Sequence, residues 1–417
     1  MTYPQIWRSL FRHWRSDLLA GITVGIVALP LALGFAITTG APASAGLSTA
    51  IVAGFVAALF GGSNYQVSGP TGAMTVVLVP IVAKYGLQSL VLLGIAAGLI
   101  IIAASLLRLG KWIDSVPWSV MEGFTFGIAL IIALQQIPLV FDVKKASGTH
   151  TLLVACETFK NAVQSPIHWS SVLLALTTVI IKRSWPRLKK NLGIHFHIPG
   201  SIVAIFVATV ISKLFSLHVS RIGQLPRSLS LTRNFSMSDI PIASFVYAAF
   251  VIAALGAIES LLSARVADGM ARKEIDHLQE KHDPNKELFG QGLATIASAL
   301  MSGLPATGAI ARTTVNVHAG ARSRLAAIIH AIFLLLVVFV VAPVVALIPT
   351  AALAGVLLGT SLRIATPRSI AEALRTTREI RIVYITTAVA VVTIDLIWGT
   401  LIGIALHLLL QKKKQQS

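Results

Sequence analysis

The feature that most constrains this chain is its succession of apolar runs. Several of them, such as Leu325 to Ile348 and Leu90 to Leu107, reach or approach the roughly 20 residues with which a helix crosses a hydrocarbon core. In lipid such runs become helices, because an open sheet edge finds no hydrogen-bond partner there. Composition agrees: of 417 residues, 55% are hydrophobic and 12% charged, with mean hydropathy +0.81, where a soluble domain carries about 25% charged residues. The sequence predicts an all-α polytopic membrane protein with about fourteen transmembrane segments, read from hydropathy.

A net charge of +18 raises the question of a nucleic-acid partner, and the placement of the basic residues answers it. They fall between the apolar runs, in every second connection: Arg8, Arg12 and Arg15; Arg108 and Lys111; Lys182, Arg183, Arg187, Lys189 and Lys190; Arg272, Lys273, Lys281 and Lys286; Arg322 and Arg324; Arg363 through Arg381; and Lys412 to Lys414. This is positive-inside bias, which predicts a multi-pass protein of the cell inner membrane with both termini in the cytoplasm and no nucleic-acid partner. Arg221, Arg227 and Arg233 run against the trend on a longer outer connection, where translocation is largely indifferent to charge.

The single cysteine, Cys156, excludes an intramolecular disulfide and a cysteine-based metal cluster. No small-residue cleavage site follows the first run, so it reads as a retained helix. The expected organisation is a cytoplasmic N-terminus at 1–15, a first repeat at 16–214, an extracytoplasmic connection at 215–240, a second repeat at 241–411 and a cytoplasmic tail at 412–417.

Gly/Pro-interrupted segments at matching places in two halves point to a transporter site. Here the third segment reads Gln66-Val67-Ser68-Gly69-Pro70-Thr71-Gly72-Ala73-Met74-Thr75, and the tenth reads Gly303-Leu304-Pro305-Ala306-Thr307-Gly308-Ala309-Ile310-Ala311-Arg312-Thr313. Each is an extended stretch, then Thr-Gly-Ala, then a helical pattern. An odd number of spans per repeat inverts one copy relative to the other, so two half-helix N-termini face each other near the midplane. Their unpaired N–H groups and partial positive charge make an anion cradle.

At these residues the chain resembles the SulP family of anion permeases. Gln66 to Thr75 resembles the family's third-helix signature and Glu122 to Ala129 its fifth; Glu259 to Ala264 resembles the eighth helix and Thr307 to Thr313 the tenth. The resemblance implies two inverted seven-helix repeats with discontinuous third and tenth helices. It further implies a core domain that moves like an elevator against a gate domain, a small inorganic or carboxylate anion as substrate, and a homodimer. Family members usually carry a cytoplasmic STAS domain after the last helix, whereas this sequence stops at Ser417; it reads as a naturally short member or a truncated one. Many members also place a glutamine after the first-helix proline, where this chain has Pro30-Leu31, removing one polar contact to substrate.

The expected substrate-binding set is Ser68, Thr71, Gly72, Ala73, Thr307, Gly308, Ala309, Ile310 and Arg312, with Glu259 and Ser263 for ion coupling. Glu259 lies mid-span with Ser263 one turn on and on the same face; an ionisable group at that depth is a functional hypothesis by default. It serves as a proton-coupling carboxylate, as a structural partner of Arg312, or as both. Arg312 alternatively snorkels to an interface. Glu122 reads as structural, favouring a helix N-terminus; Asp268 and Glu287 read as solvated, and Asp395 has no evident partner. The family's sodium-dependent bicarbonate branch uses an acid and a hydroxyl on the eighth helix plus oxygens of the tenth-helix turn. Ile310 offers no side-chain oxygen there, and a hard cation needs about six, so a proton is the expected coupling ion. His195 and His197 lack metal spacing, His277 and His282 read as a solvated helix end, and His330 as a satisfied packing residue. No nucleotide loop, nucleophile elbow or cofactor motif occurs. The expected function is secondary transport of bicarbonate, sulfate or a C4-dicarboxylate, proton-coupled or exchanging. A nucleobase–proton symporter of the same architecture and an anion channel are the alternatives, and an enzyme is not expected.

Overall fold

The apolar runs fold as helices. The first is α1, Trp14–Thr39, closed by Gly40 in the left-handed region at φ 88°, with its N–H turned back to the last turn; Pro42 then restarts the chain as α2, Ala43–Phe60. Strand β1, Ser68–Gly69, leads into α3, Gly72–Tyr85, followed by α4, Ser89–Leu106, and α5, Trp118–Leu134. Next come α6, Thr151–Gln164, α7, Trp169–Asn191, and α8, Gly200–Leu214. The second half runs α9, Ile242–Glu274; α10, Pro284–Leu300; β2, Thr307–Gly308; α11, Ile310–His318; α12, Leu325–Val340; α13, Thr350–Ile364; α14, Arg378–Thr393; and α15, Leu396–Gln416. The computed structural model describes residues 11–113, 116–148, 150–191, 193, 199–224, 231, 240–274, 281–394 and 396–416. Arg8, His195, His197, Arg227, Arg233, Asp276, His277 and Asp395 lie outside them.

Among the described residues, Trp14–Thr39, Ala43–Phe60, Ser89–Leu106, Trp118–Phe141 and Ile242–Arg272 are long and apolar enough to cross a membrane; Gly72–Tyr85, Gly200–Leu214, Leu325–Val340 and Thr350–Ile364 are apolar but shorter. The third and tenth segments are discontinuous, as the sequence predicts. Each is a two-residue strand followed by a half-helix, of 14 residues in α3 and 9 in α11. β1 and β2 pair antiparallel, Ser68 with Gly308 and Gly69 with Thr307.

Small residues set how the helices pack, as they do where no water drives association. Gly94 and Gly98 of α4 lie against Ala299, Ile296 and Gly292 of α10, and Gly21 and Gly25 of α1 against Ile329 and Phe333 of α12. These contacts gather α1 to α4 with α9 to α12 into one bundle. Gly123 and Gly127 of α5 meet Thr387 and Val391 of α14, and Gly355 of α13 meets Thr178 of α7, which gathers α5, α7 and α8 with α13 to α15 into a second bundle.

Candidate functional site

The site is built where the two half-helices cross. Thr71 is the N-cap of α3, its hydroxyl oxygen accepting from Met74 N–H. The same hydroxyl donates to Glu259 Oε2 at 2.8 Å, and Thr307 Oγ1 donates to that oxygen at 2.7 Å. One carboxylate on α9 therefore ties both interrupted segments together. The ion pair considered for Glu259 and Arg312 does not form: Arg312 makes no salt bridge among the described residues, and the two threonines take the carboxylate instead.

Arg312 is 1% exposed. Its Nη2 donates to Pro70 O, and its Nη1 is buried without a hydrogen-bond partner among the described residues. It neither snorkels nor reaches the surface. Gly69 makes this possible: with φ 153° it lets the guanidinium lie across β1, and a Cβ there would collide with Nη1.

A cavity of about 270 Å³ opens at this crossing. Thr71, Gly72, Ala73, Glu259, Ala309, Ile310 and Arg312 line it, joined by Leu31 and Phe35 of α1 and by Thr125, Ile128 and Ile132 of α5, so it lies between the two bundles. Helix geometry leaves the first-turn N–H groups of α3 and α11 without intrahelical acceptors, and both ends add positive potential. Leu31, the residue after the first-helix proline, stands at the wall and offers no polar contact there.

Ser68, Gly308 and Ser263 of the predicted set, and the backbone of Ala309, are tied into the surrounding helices by hydrogen bonds. Ser68 donates to Gln291 Oε1 at 2.9 Å, and Gln291 Nε2 donates to Ala306 O at 2.8 Å. The Gly308 N–H donates to Ser260 Oγ, and the Ala309 N–H to Val67 O, so those two amides are committed. Ser263 donates to Thr313 Oγ1 at 3.1 Å, and that oxygen accepts the Val67 N–H. Ser260, Gln291 and Thr313 carry no distinguishing signal in the sequence: each is an uncharged polar residue within a helix, a pattern too common to choose by.

Three expectations are corrected. Glu287, read as solvated, is 2% exposed and accepts from Gly62 N–H, Ser63 N–H and Gln66 Nε2 at 2.8 to 2.9 Å, because the chain leaving α2 folds over the first turn of α10. Asp268 and His282, also read as solvated, pair at 2.8 Å with little exposure. His330 is buried as expected of a packing residue, but neither ring nitrogen has a hydrogen-bond partner among the described residues.

On one side the central cavity adjoins a vestibule of about 740 Å³ lined by residues that include Lys182, Arg183, Lys189, Arg363 and His318. Lys182, Ser201 and Arg363 line both spaces. Lys182 Nζ is held by Val356 O at 2.7 Å and Thr360 Oγ1 at 2.6 Å. A basic approach of this kind concentrates anions.

The profile described as the sulfate permease family matches residues 14–387. A Bacillus subtilis (strain 168) relative, YvdB, is 36% identical over 411 residues, covering 95% of this chain and 73% of the relative. The bicarbonate transporter BicA of Picosynechococcus sp. (strain ATCC 27264 / PCC 7002 / PR-6) is 35% identical over 360 residues, covering 83% of this chain; that match spans 61% of the relative's own length. The solved transmembrane domain of a cyanobacterium bicarbonate transporter BicA superposes with TM-score 0.82 at 31% identity, covering 95% of this chain and 98% of that one.

Proposed function

The chain belongs to the sulfate permease family, a family of membrane transporters rather than enzymes, and we propose that it carries a small anion across the inner membrane by secondary transport. The substrate is bicarbonate, sulfate or a C4-dicarboxylate. The observation that carries this reading is Arg312 Nη1, a buried cationic donor without a hydrogen-bond partner among the described residues, on a residue that lines a cavity faced by two helix N-termini. A neutral nucleobase leaves that charge uncompensated, whereas an anion completes it. The repeats 16–214 and 241–411 build the site, the α1–α4 and α9–α12 bundle moves as an elevator against the other, and two copies form a homodimer.

Glu259 is the coupling residue in this mechanism. As a carboxylate it occupies the Thr71 and Thr307 hydroxyls, the donors an incoming oxyanion would use. Protonation removes the competing negative charge and weakens its hold on those hydroxyls, so proton and anion enter together. The Ile310 side chain, which lines the cavity, has no oxygen to offer a cation, which favours the proton over sodium.

Reconstitution in liposomes tests the reading, with uptake of labelled bicarbonate, sulfate, succinate and uracil measured with and without proton or sodium gradients. One anion should enter faster with an inward proton gradient, and Glu259→Gln should abolish that response while leaving the protein folded. Uracil uptake, or no anion flux from folded protein, overturns the proposal.

A further inference from the structure

Three helices that line the central cavity continue into the wall of a second one. Along α1 the central cavity takes Leu31 and Phe35, and the second takes Ile37, Thr38 and Thr39. Along α3 the sequence is Thr71 to Ala73, then Val79 and Val82; along α5 it is Ile128 and Ile132, then Leu134 and Gln135. At 1.5 Å per residue the second cavity lies about 10 Å further along α1 and α3. It is on the side away from the basic vestibule, which touches α1 at Thr23 and Val27. Between the two cavities stand the buried side chains of Phe35 and Ile132, which converge on Gly72. A Cβ at Gly72 would lie 3.2 Å from Phe35 Cε1 and collide with Ile132 Cδ1.

The second cavity holds about 340 Å³. Gln135 lines it at 8% exposure, and neither its amide nitrogen nor its oxygen has a hydrogen-bond partner among the described residues. A buried primary amide is normally satisfied, so this one is poised for something that enters the cavity. Thr38 lies beside it, its hydroxyl donating to Gly34 O at 2.8 Å with Gln136 Oε1 at 3.4 Å. Lys145, an exposed residue, is part of the lining, which includes no carboxylate among the described residues. A mostly apolar pocket with a few converging donors and one cation is the usual form of a small-ligand site.

We propose that this cavity is a second anion site, a station where a small oxyanion is held by the Gln135 amide and the Lys145 ammonium beyond the Phe35–Ile132 plug. It rests on the anion reading of the central site, with the plug separating the two stations in this conformation.

Thiol labelling tests it without requiring transport. In a Cys156→Ser background, Leu139→Cys places one cysteine in the cavity lining, to be reacted with an anionic and a neutral methanethiosulfonate of similar size. The anionic reagent should react about fivefold faster once each rate is normalised to a free thiol. Gln135→Leu and Lys145→Gln should each reduce that preference towards unity. The second variant alters an exposed rim residue and keeps the test readable if the first fails to fold. Equal normalised rates in the parent, or a preference that survives both substitutions, overturn the proposal. Absence of anion flux in the wild-type liposomes instead sinks the central reading and leaves the labelling ratio measurable.

Discussion

A guanidinium taken out of water is destabilising unless charges or hydrogen bonds surround it, and Arg312 has one carbonyl, that of Pro70, as its hydrogen-bond partner among the described residues. The deficit is tolerable if an anion completes the shell during transport. Arg312→Lys keeps the charge but loses the planar fork, so the KM for the transported anion should rise roughly tenfold, about 1.4 kcal/mol in binding, with thermal stability little changed. Saturation uptake in liposomes measures the first and a detergent melt the second. Gly69→Ala is a stricter test, since the new Cβ runs into Arg312 Nη1 at a φ that side chains rarely adopt. It should destabilise by about 1–3 kcal/mol and remove uptake even where the protein remains folded. Glu259 and Arg312 were legible in the sequence because a charge inside an apolar run is costly and therefore informative. What each touches was not legible: helical spacing puts Ser263 on the Glu259 face, yet its hydroxyl turns to Thr313, a choice made by the half-helix packed against it.

At the scale of elements, the two interrupted segments were readable because Gly69-Pro70 and Leu304-Pro305 cannot continue a helix and Thr-Gly-Ala restarts one. Their antiparallel pairing through Ser68 and Gly308 was not, since two residues of strand leave no periodicity to detect. Nor was α6 foreseen; it is amphipathic, with Val154, Ala155, Thr158 and Ala162 buried, and such a pattern does not stand out among longer apolar runs. The hydroxyls that hold the crossing give an element-level prediction. Thr71 and Thr307 both donate to the same oxygen of Glu259, so Thr71→Val and Thr307→Val should be non-additive, with a coupling of about 0.5–3 kcal/mol in a double-mutant cycle on thermal stability. Away from the crossing, Glu287 joins the end of α2 to the start of α10 through three donors. Glu287→Leu leaves Gln66 and two backbone N–H groups unpartnered, at about 1–3 kcal/mol for each buried group. Its melting temperature should fall well below that of Glu287→Gln, which keeps an acceptor for part of the set.

At the scale of the whole molecule, the central cavity belongs to neither bundle alone. Glu259, Thr71 and Arg312 ride on one, while Thr125, Ile128 and Ile132 line it from the other. The cavity shares Lys182 and Arg363 with the basic vestibule, and Phe35 and Ile132 pack together at Gly72 on the side of the opposite pocket. Reversing that pattern by an elevator requires the bundles to slide, and any contact between them must then break. One such contact is Gly34 of α1 against Leu357 of α13, where a Cβ at 34 would lie 3.0 Å from Leu357 Cδ1. Gly34→Cys with Leu357→Cys, in a Cys156→Ser background, replaces a large side chain by a smaller one where the new Cβ enters, so the pair should be accommodated. A short bifunctional thiol reagent should then stop anion flux almost completely, and it should have no effect on either single-cysteine protein. Anion binding from the vestibule side should persist in the cross-linked protein, because the wide basic approach remains open when the bundles are pinned. If cross-linked protein still exchanges anion at the parent rate, the two bundles do not slide at this contact and the cavity must instead be gated by local movement of Phe35 and Ile132.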